Sequence, residues 1–253
     1  VRLHQHLWLR GWVRVGEREP YNLYQVPGEG AVAVTESPYR PGLPPIPQRL
    51  TRRPIERGYP VPWFCEHIDG HWDFRIVDSR KFKPAIQQQL CWICGGKLGG
   101  YKAFTIGPMC AINRTISEPP SHRECAEFAI RACPFLNQRE TKRNAANLPH
   151  DLGLSEPAGY GIDRQPGVSL LWVTKSYRVI RVDNGILFKI GDPTAVEWYR
   201  EGRPALRSEI MASIDSGYPI LFESAQLDGP AAIRELETAR DRAMALVPNR
   251  VDV

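Results

Sequence analysis

The last third of the chain carries its plainest periodicity. Three apolar, β-branched runs at residues 168–173, 177–182 and 186–190 read as strands. Asp183-Asn184-Gly185, between the second and third, is a strong hairpin signal. Together the three runs predict a small antiparallel β-meander. From Asp192 onward the pattern turns helical. Asp192-Pro193 suits the cap and first turn of a helix reaching about Arg200, with Gly202 past its end. Gly217 and Gly229-Pro230 then divide the remainder into helices at about 207–216, 219–227 and 231–246. The last of these places Ile233, Leu236, Ala239, Ala243 and Leu246 on one apolar stripe, as in an ordinary core helix.

Upstream the elements are shorter. Residues 62–65 and 72–78 read as two strands around the turn Asp69-Gly70, and 84–90 as a short helix. Residues 101–106 form a strand candidate followed by a Gly107-Pro108 turn. Ser121, with Glu124 three residues on, has the spacing of a capping box, so a helix starts there. Before residue 57 the pattern dissolves. One strand candidate at 7–15 is followed by Pro20, Pro27, Pro38, Pro41, Pro44, Pro45 and Pro47, which reads as an extended Pro/Gly-rich arm. Residues 138–151 are polar and read as an exposed connector. The sequence thus divides into an arm at 1–56, a metal-binding region at 57–150, and a meander with helices at 151–253 that packs with the second part as one domain. The fold class is α+β.

Composition narrows the class. Hydrophobic residues make up 42% and charged residues 24% of 253, ordinary values for a globular chain with a core of normal size. No apolar run reaches the roughly 18 residues of a membrane helix. Arg10 and Arg14 interrupt the N-terminal apolar residues, so a signal peptide is not expected there. Six cysteines in a chain this large, two of them as Cys-x-x-Cys, favour a cytoplasmic metal protein over a disulfide scaffold. The net charge of +5 is uneven. Residues 1–150 hold 21 Lys+Arg against 13 Asp+Glu, a balance of +8, while residues 151–253 hold 12 against 15, a balance of −3.

The chemistry concentrates between Cys91 and Cys133. Cys91 and Cys94 are separated by two residues, as are His122 and Cys125. Two close pairs of thiol and imidazole ligands are how a structural Zn²⁺ site is written. Gly95 and Gly96 let the first pair curl so that both sulfurs face one point. The second pair, at i and i+3, shares a helix face. Cys110 could stand in for His122, and Cys133 could face elsewhere as a core residue. A Cys knuckle, a hairpin and a helix carrying two ligands in its first turn resemble a treble-clef zinc finger. His67 and His71 flank the Asp69-Gly70 turn without a close partner pair, and read as surface residues of the hairpin.

The string IGPMCAINRTISEPPSHRECAEFAIRACPF resembles a group of bacterial and phage-borne proteins that has no assigned activity. The likeness spans about residues 57–247. It implies a bacterial or phage origin and brings no catalytic residues with it. The chain holds no GxSxG, GxxxxGK[ST] or HExxH pattern. The enzyme alternative is a divergent treble-clef nuclease of the HNH type, yet no histidine lies between the two ligand pairs to serve as base. The leading expectation is a zinc-binding module that contacts nucleic acid or a protein partner, with no membrane role and no small-molecule cofactor. The basic excess nominates Arg114, Arg123, Arg139, Lys142 and Arg143 as nucleic-acid contacts. Arg49, Arg52, Arg53 and Arg57 form a looser cluster, read as solvated linker charge.

Overall fold

A computed structural model describes residues 37–137, 158 and 166–249, and the backbone of 12–14 and 154–155. In chain order the strands and helices are β1 (Trp12–Arg14), β2 (Ile55–Glu56), β3 (Tyr59–Pro60), β4 (Cys65–Ile68), β5 (His71–Asp78), α1 (Phe82–Gln87), β6 (Lys102–Ile106), α2 (Pro108–Asn113), β7 (Thr115–Ile116), α3 (Arg123–Ala132) and α4 (Pro134–Asn137). They continue with β8 (Leu154–Ser155), β9 (Ser169–Thr174), β10 (Tyr177–Val182), β11 (Gly185–Ile190), β12 (Pro193–Arg200), β13 (Arg203–Pro204), α5 (Arg207–Asp228) and α6 (Pro230–Met244). The architecture is mixed α and β, with small, mostly antiparallel sheets and helices at the C-terminus. The sheet orders are β4-β5-β1-β8, β13-β12-β9-β6, β10-β11-β7 and the pair β2-β3. Only β1 and β5 run parallel among these pairs.

Both turn-marked hairpins form, although the first arm of the first one is Cys65–Ile68 and not the expected 62–65. Asp69 and Gly70 both take positive φ (49° and 84°), the conformation a two-residue hairpin turn requires. Strands β10 and β11 pair over their full length around Asp183-Asn184.

The meander does not form as expected. β9 leaves its sequence neighbour β10 and lies between β12 and β6 in another sheet. The reason is burial. All six residues of β9 are buried, whereas β10 exposes Arg178, Val179 and Arg181. A strand apolar on both faces needs cover on both, and an edge beside β10 offers none. Trp172 fixes the exit by donating from Nε1 to Gly191 O at 3.0 Å.

The helix expected from Asp192 to Arg200 is the strand β12. Val196, Trp198 and Tyr199 suit a pleated, half-buried surface, and pairing with β9 decides the matter over local capping chemistry. Pro193 sits at the strand's first residue, a position that tolerates a missing donor. The two helices expected at 207–216 and 219–227 are one, α5, which runs through both Gly217 and Pro219. Gly217 is a contact residue rather than a stop. A Cβ there would lie 3.0 Å from Met109 Cγ and Sδ, so its absence lets α5 approach α2. Helix α6 matches its expected span, and Leu236, Ala239, Ala243 and Leu246 of its stripe pack on the main core.

The strand of the metal-binding region also pairs elsewhere than expected. No hairpin closes between the two ligand pairs; β6 pairs with β9, some 65 residues later in sequence. Gly107-Pro108 opens α2 instead of forming a turn, with Pro108 in the helix's first turn. The described part of the 1–56 segment lies along the metal-binding region. Leu50 is buried there with Cys91, Ile93, Leu98, Cys125 and Phe128, and Leu43 and Ile46 pack beside it.

Candidate metal centre

The first ligand pair sits on a knuckle closed by backbone bonds. Leu90 and Lys97 bridge antiparallel, Cys91 N–H donates to Gly96 O at 2.7 Å, and Gly95 N–H donates to Cys91 O at 2.8 Å. Gly95 is required twice over. Its φ is 77°, and an added Cβ would fall 2.8 Å from the Trp63 indole. Gly95→Ala should therefore cost about 1–3 kcal/mol from backbone strain alone. Urea unfolding of the protein measures it, and an unchanged midpoint would refute the geometric reading of this turn.

The second pair is delivered by β6. Ala103 and Ser121 exchange two backbone bonds, at 2.8 and 2.7 Å, which places the start of α3 against the knuckle. Trp92 N–H donates to Pro120 O across the same gap, at 3.1 Å. The capping box expected of Ser121 and Glu124 does not form. His122 is the N-cap and makes no side-chain capping bond. The ring is turned to the cysteines instead, and Glu124 accepts from Arg49 Nε at 2.7 Å.

Cys91, Cys94, His122 and Cys125 converge, with their ligand atoms all within 4.8 Å of one another. His122 Nδ1 stands 3.3 Å from Cys94 Sγ and 4.0 Å from Cys125 Sγ. Its other nitrogen, Nε2, is 3.0 Å from Lys97 O. A carbonyl only accepts, so Nε2 carries a proton, and Nδ1 is the nitrogen left facing the sulfurs, where a metal ion would take the place of its proton. Holding the far ring nitrogen on a backbone carbonyl is the usual device that orients a metal-binding histidine. Three backbone N–H groups point at sulfur: those of Cys94 and His122 at Cys91 Sγ (3.4 and 3.3 Å), and that of Gly96 at Cys94 Sγ (3.4 Å). Such donors stabilise thiolate over thiol.

The titration of the set agrees with that chemistry. Burial pushes the Cys91 thiol up, but hydrogen bonds from Cys125, Cys94 and His122 outweigh it and bring it far below the usual thiol range. The Cys91 and Cys94 sulfurs push Cys125 far up, burial adding to it. Hydrogen bonds to Cys91 and Cys94 raise His122 to about 10. Protons and a cation compete for the same four atoms. The donor set, three sulfurs and one imidazole on a buried, pre-shaped knuckle, fits a metal ion in a closed four-ligand site.

The remaining cysteines are placed elsewhere. Cys110 is buried in the main core on α2, and its thiol is pushed up by that burial. Cys133 follows α3 at its C-cap. Neither joins the cluster, so His122 keeps its place. His67 lies against the Trp72 ring at 4.7 Å, and His71 Nδ1 is 3.9 Å from Glu56 Oε2; neither belongs to a metal cluster among the described residues.

Of the five nominated basic residues, Arg114 and Arg123 are described; Arg139, Lys142 and Arg143 lie outside the described residues. Arg114 caps α2 in the left-handed region, at φ 58°. Its guanidinium pairs with Asp192 at 2.5 Å and lies 5.1 Å from the centre of the Trp172 ring. Arg123 pairs with Glu197 on β12. Each thus ties the metal-binding region to the C-terminal part. Sequence reasoning missed Arg49. It stands beside the centre, its guanidinium paired with Glu124 of the ligand-bearing helix, and that bond raises its pKa. Arg53, from the same loose cluster, donates to Val61 O at 2.9 Å. No spacing rule links Arg49 to a site that begins 42 residues later.

Comparison with protein-family models, with curated proteins and with solved structures finds no match for this chain. No described helix is long and apolar enough to cross a membrane.

Proposed function

We propose that the chain is a zinc-binding module of bacterial or phage origin, in which one structural Zn²⁺ held by Cys91, Cys94, His122 and Cys125 organises a treble-clef-like centre. The observation that carries this reading is the convergence of the four donors with Nε2 of His122 committed to Lys97 O. Four good ligands leave no open coordination position, and a catalytic zinc needs one. A knuckle followed by a ligand-bearing helix start supports the treble-clef likeness; the missing internal hairpin is replaced by the long-range pairing of β6 with β9.

The module's partner is nucleic acid on this reading, because the part of the chain that holds the metal also holds the positive excess, +8 over residues 1–150. The contact should not rest on Arg114 and Arg123 alone, since each already faces a carboxylate. The test is a gel shift with short single- and double-stranded DNA at about 50 and 200 mM salt, in the range where phosphate contacts change affinity steeply. Binding should weaken sharply between the two conditions. Changing Arg114, Arg123, Arg139, Lys142 and Arg143 together to Ala should weaken it at least about tenfold while zinc content is kept, as expected when several phosphate contacts are removed. Equal binding by the variant, or none by the parent at low salt, rejects nucleic acid and leaves a protein partner. Mg²⁺-dependent cutting by the parent would instead favour a nuclease.

A further inference from the structure

Where the knuckle runs into β6, the surface carries an exposed aromatic ring. Tyr101 is 54% exposed, and it is the only aromatic among the large apolar side chains that the described residues leave exposed. A single such residue is ordinary on a protein surface; its surroundings set this one apart. Gly99 and Gly100, just before it, are exposed, and a Cβ added to either would meet nothing within 4 Å. Neither takes positive φ. Packing and backbone conformation therefore do not demand glycine here, and the bare backbone lets an extended ligand lie close.

Two ammonium groups lie against this stretch. Lys175 Nζ is 5.5 Å from the centre of the Tyr101 ring, and Lys102 Nζ donates to Gly100 O at 3.2 Å. The pairing of Lys102 with Thr174 brings the β9–β10 turn, which carries Lys175, to this place. Neither lysine has a carboxylate partner among the described residues. The chain around them is free of acid: residues 79–117 and 164–182 hold no Asp or Glu. On and just before the adjoining strand β12, Glu197 and Asp192 are neutralised by Arg123 and Arg114. The two ammonium groups are thus left uncompensated, as Arg114 and Arg123 are not.

Single strands bind where bases stack on an aromatic face and cations neutralise the backbone beside it. A duplex keeps its bases stacked on one another and offers such a ring nothing. We propose that residues 99–102 and Lys175 form a contact for single-stranded nucleic acid, in which a base stacks on Tyr101 and Lys102 and Lys175 meet the flanking phosphates. This rests on the nucleic-acid reading above, and adds to it the strand type and the place of contact. The place adjoins the metal centre, since Lys97, four residues before Tyr101, holds His122 through its carbonyl.

The test is fluorescence anisotropy of the full chain with a labelled oligothymidylate of about 12 nucleotides and a duplex of the same length, from about 50 to 200 mM salt. Tyr101→Ala should weaken oligothymidylate binding by about fivefold or more, the loss of one stacked base, and change duplex binding by less than about twofold. It should keep the parent's salt dependence, and Tyr101→Phe should bind like the parent. Lys102→Ala with Lys175→Ala should flatten the slope of log affinity against log salt by about 1.4, two single-strand phosphate contacts at about 0.7 each. Equal urea midpoints confirm that the variants fold. The site is overturned, and the nucleic-acid reading stands, if Tyr101→Ala binds oligothymidylate as the parent does or loses both strands alike, if the slope is not flattened, or if the parent takes duplex alone. If the parent takes neither at low salt, the site and the reading fall together.

Discussion

Cys91→Ser is expected to abolish stoichiometric metal and to unfold the knuckle and its small core. Cys91 is fully buried, and two backbone N–H groups converge on its sulfur. A serine hydroxyl is shorter and does not ionise, so a divalent cation loses both a donor and a negative charge. Structural zinc sites contribute about 10–16 kcal/mol of apparent binding energy in small zinc-finger peptides. Losing even half of that, about 5–8 kcal/mol, is comparable to the whole stability of many domains, about 5–15 kcal/mol. Cys125→Ser should behave alike. Cys110→Ser and Cys133→Ser should keep one zinc per chain, since both residues lie outside the cluster. Metal analysis of the purified variants decides it, and full zinc in both Cys91→Ser and Cys125→Ser would remove the assignment. The pH dependence has a definite sign. His122 holds its proton up to about 10 in the cluster, and metal binding must displace it. Zinc affinity should therefore fall as pH falls and rise as pH rises toward that value.

Trp172→Ala should be the most costly single change away from the metal, at about 3–5 kcal/mol. Trp172 is fully buried in β9, between Val196 of β12 and Phe104 of β6. Removing the ring opens a void at the centre of the largest core. It also strips Gly191 O of its donor and Arg114 of the aromatic face beneath its charge. Trp172→Phe keeps much of the volume and loses only the indole donor and part of the ring, so its cost should be clearly smaller. Urea denaturation at fixed zinc compares them. A loss under about 1 kcal/mol for Trp172→Ala would contradict the burial that places β9 at the centre.

What could be read in the sequence was what is local. The four metal-cluster residues stand as two chelating pairs, and a chelate announces itself by spacing. The two hairpins were legible because Asp69-Gly70 and Asp183-Asn184-Gly185 supply the turn conformation within the turn itself. Elements decided by distant partners were not legible. Residues 193–200 carry a good helix start, and only pairing with β9 makes them a strand. Gly217 looks like a helix terminus until Met109 stands beside it. The buried strand β9 looked like the first arm of a meander because short connections usually join neighbours. Its burial on both faces, which moved it to another sheet, depends on two strands that lie on either side of it in sequence. Arg49 and Lys97 O belong to the surroundings of the metal cluster, and neither has a sequence signature.

The pairing of β6 with β9 also bears on how such a sequence can be inherited. Residues 91–125 look like a portable cassette, the length of a small finger that recombination could graft onto another chain. The fold denies them that independence. The strand that presents the start of α3 to the knuckle is itself held by β9, and β9 in turn by β12. A crossover that moved only the four cysteine and histidine positions would transfer the ligands without the strand ladder that aligns them. The structural unit that aligns the ligands therefore runs from the Leu50 segment beside the knuckle to at least β12, and a graft would have to carry β6, β9 and β12 along with the ligands.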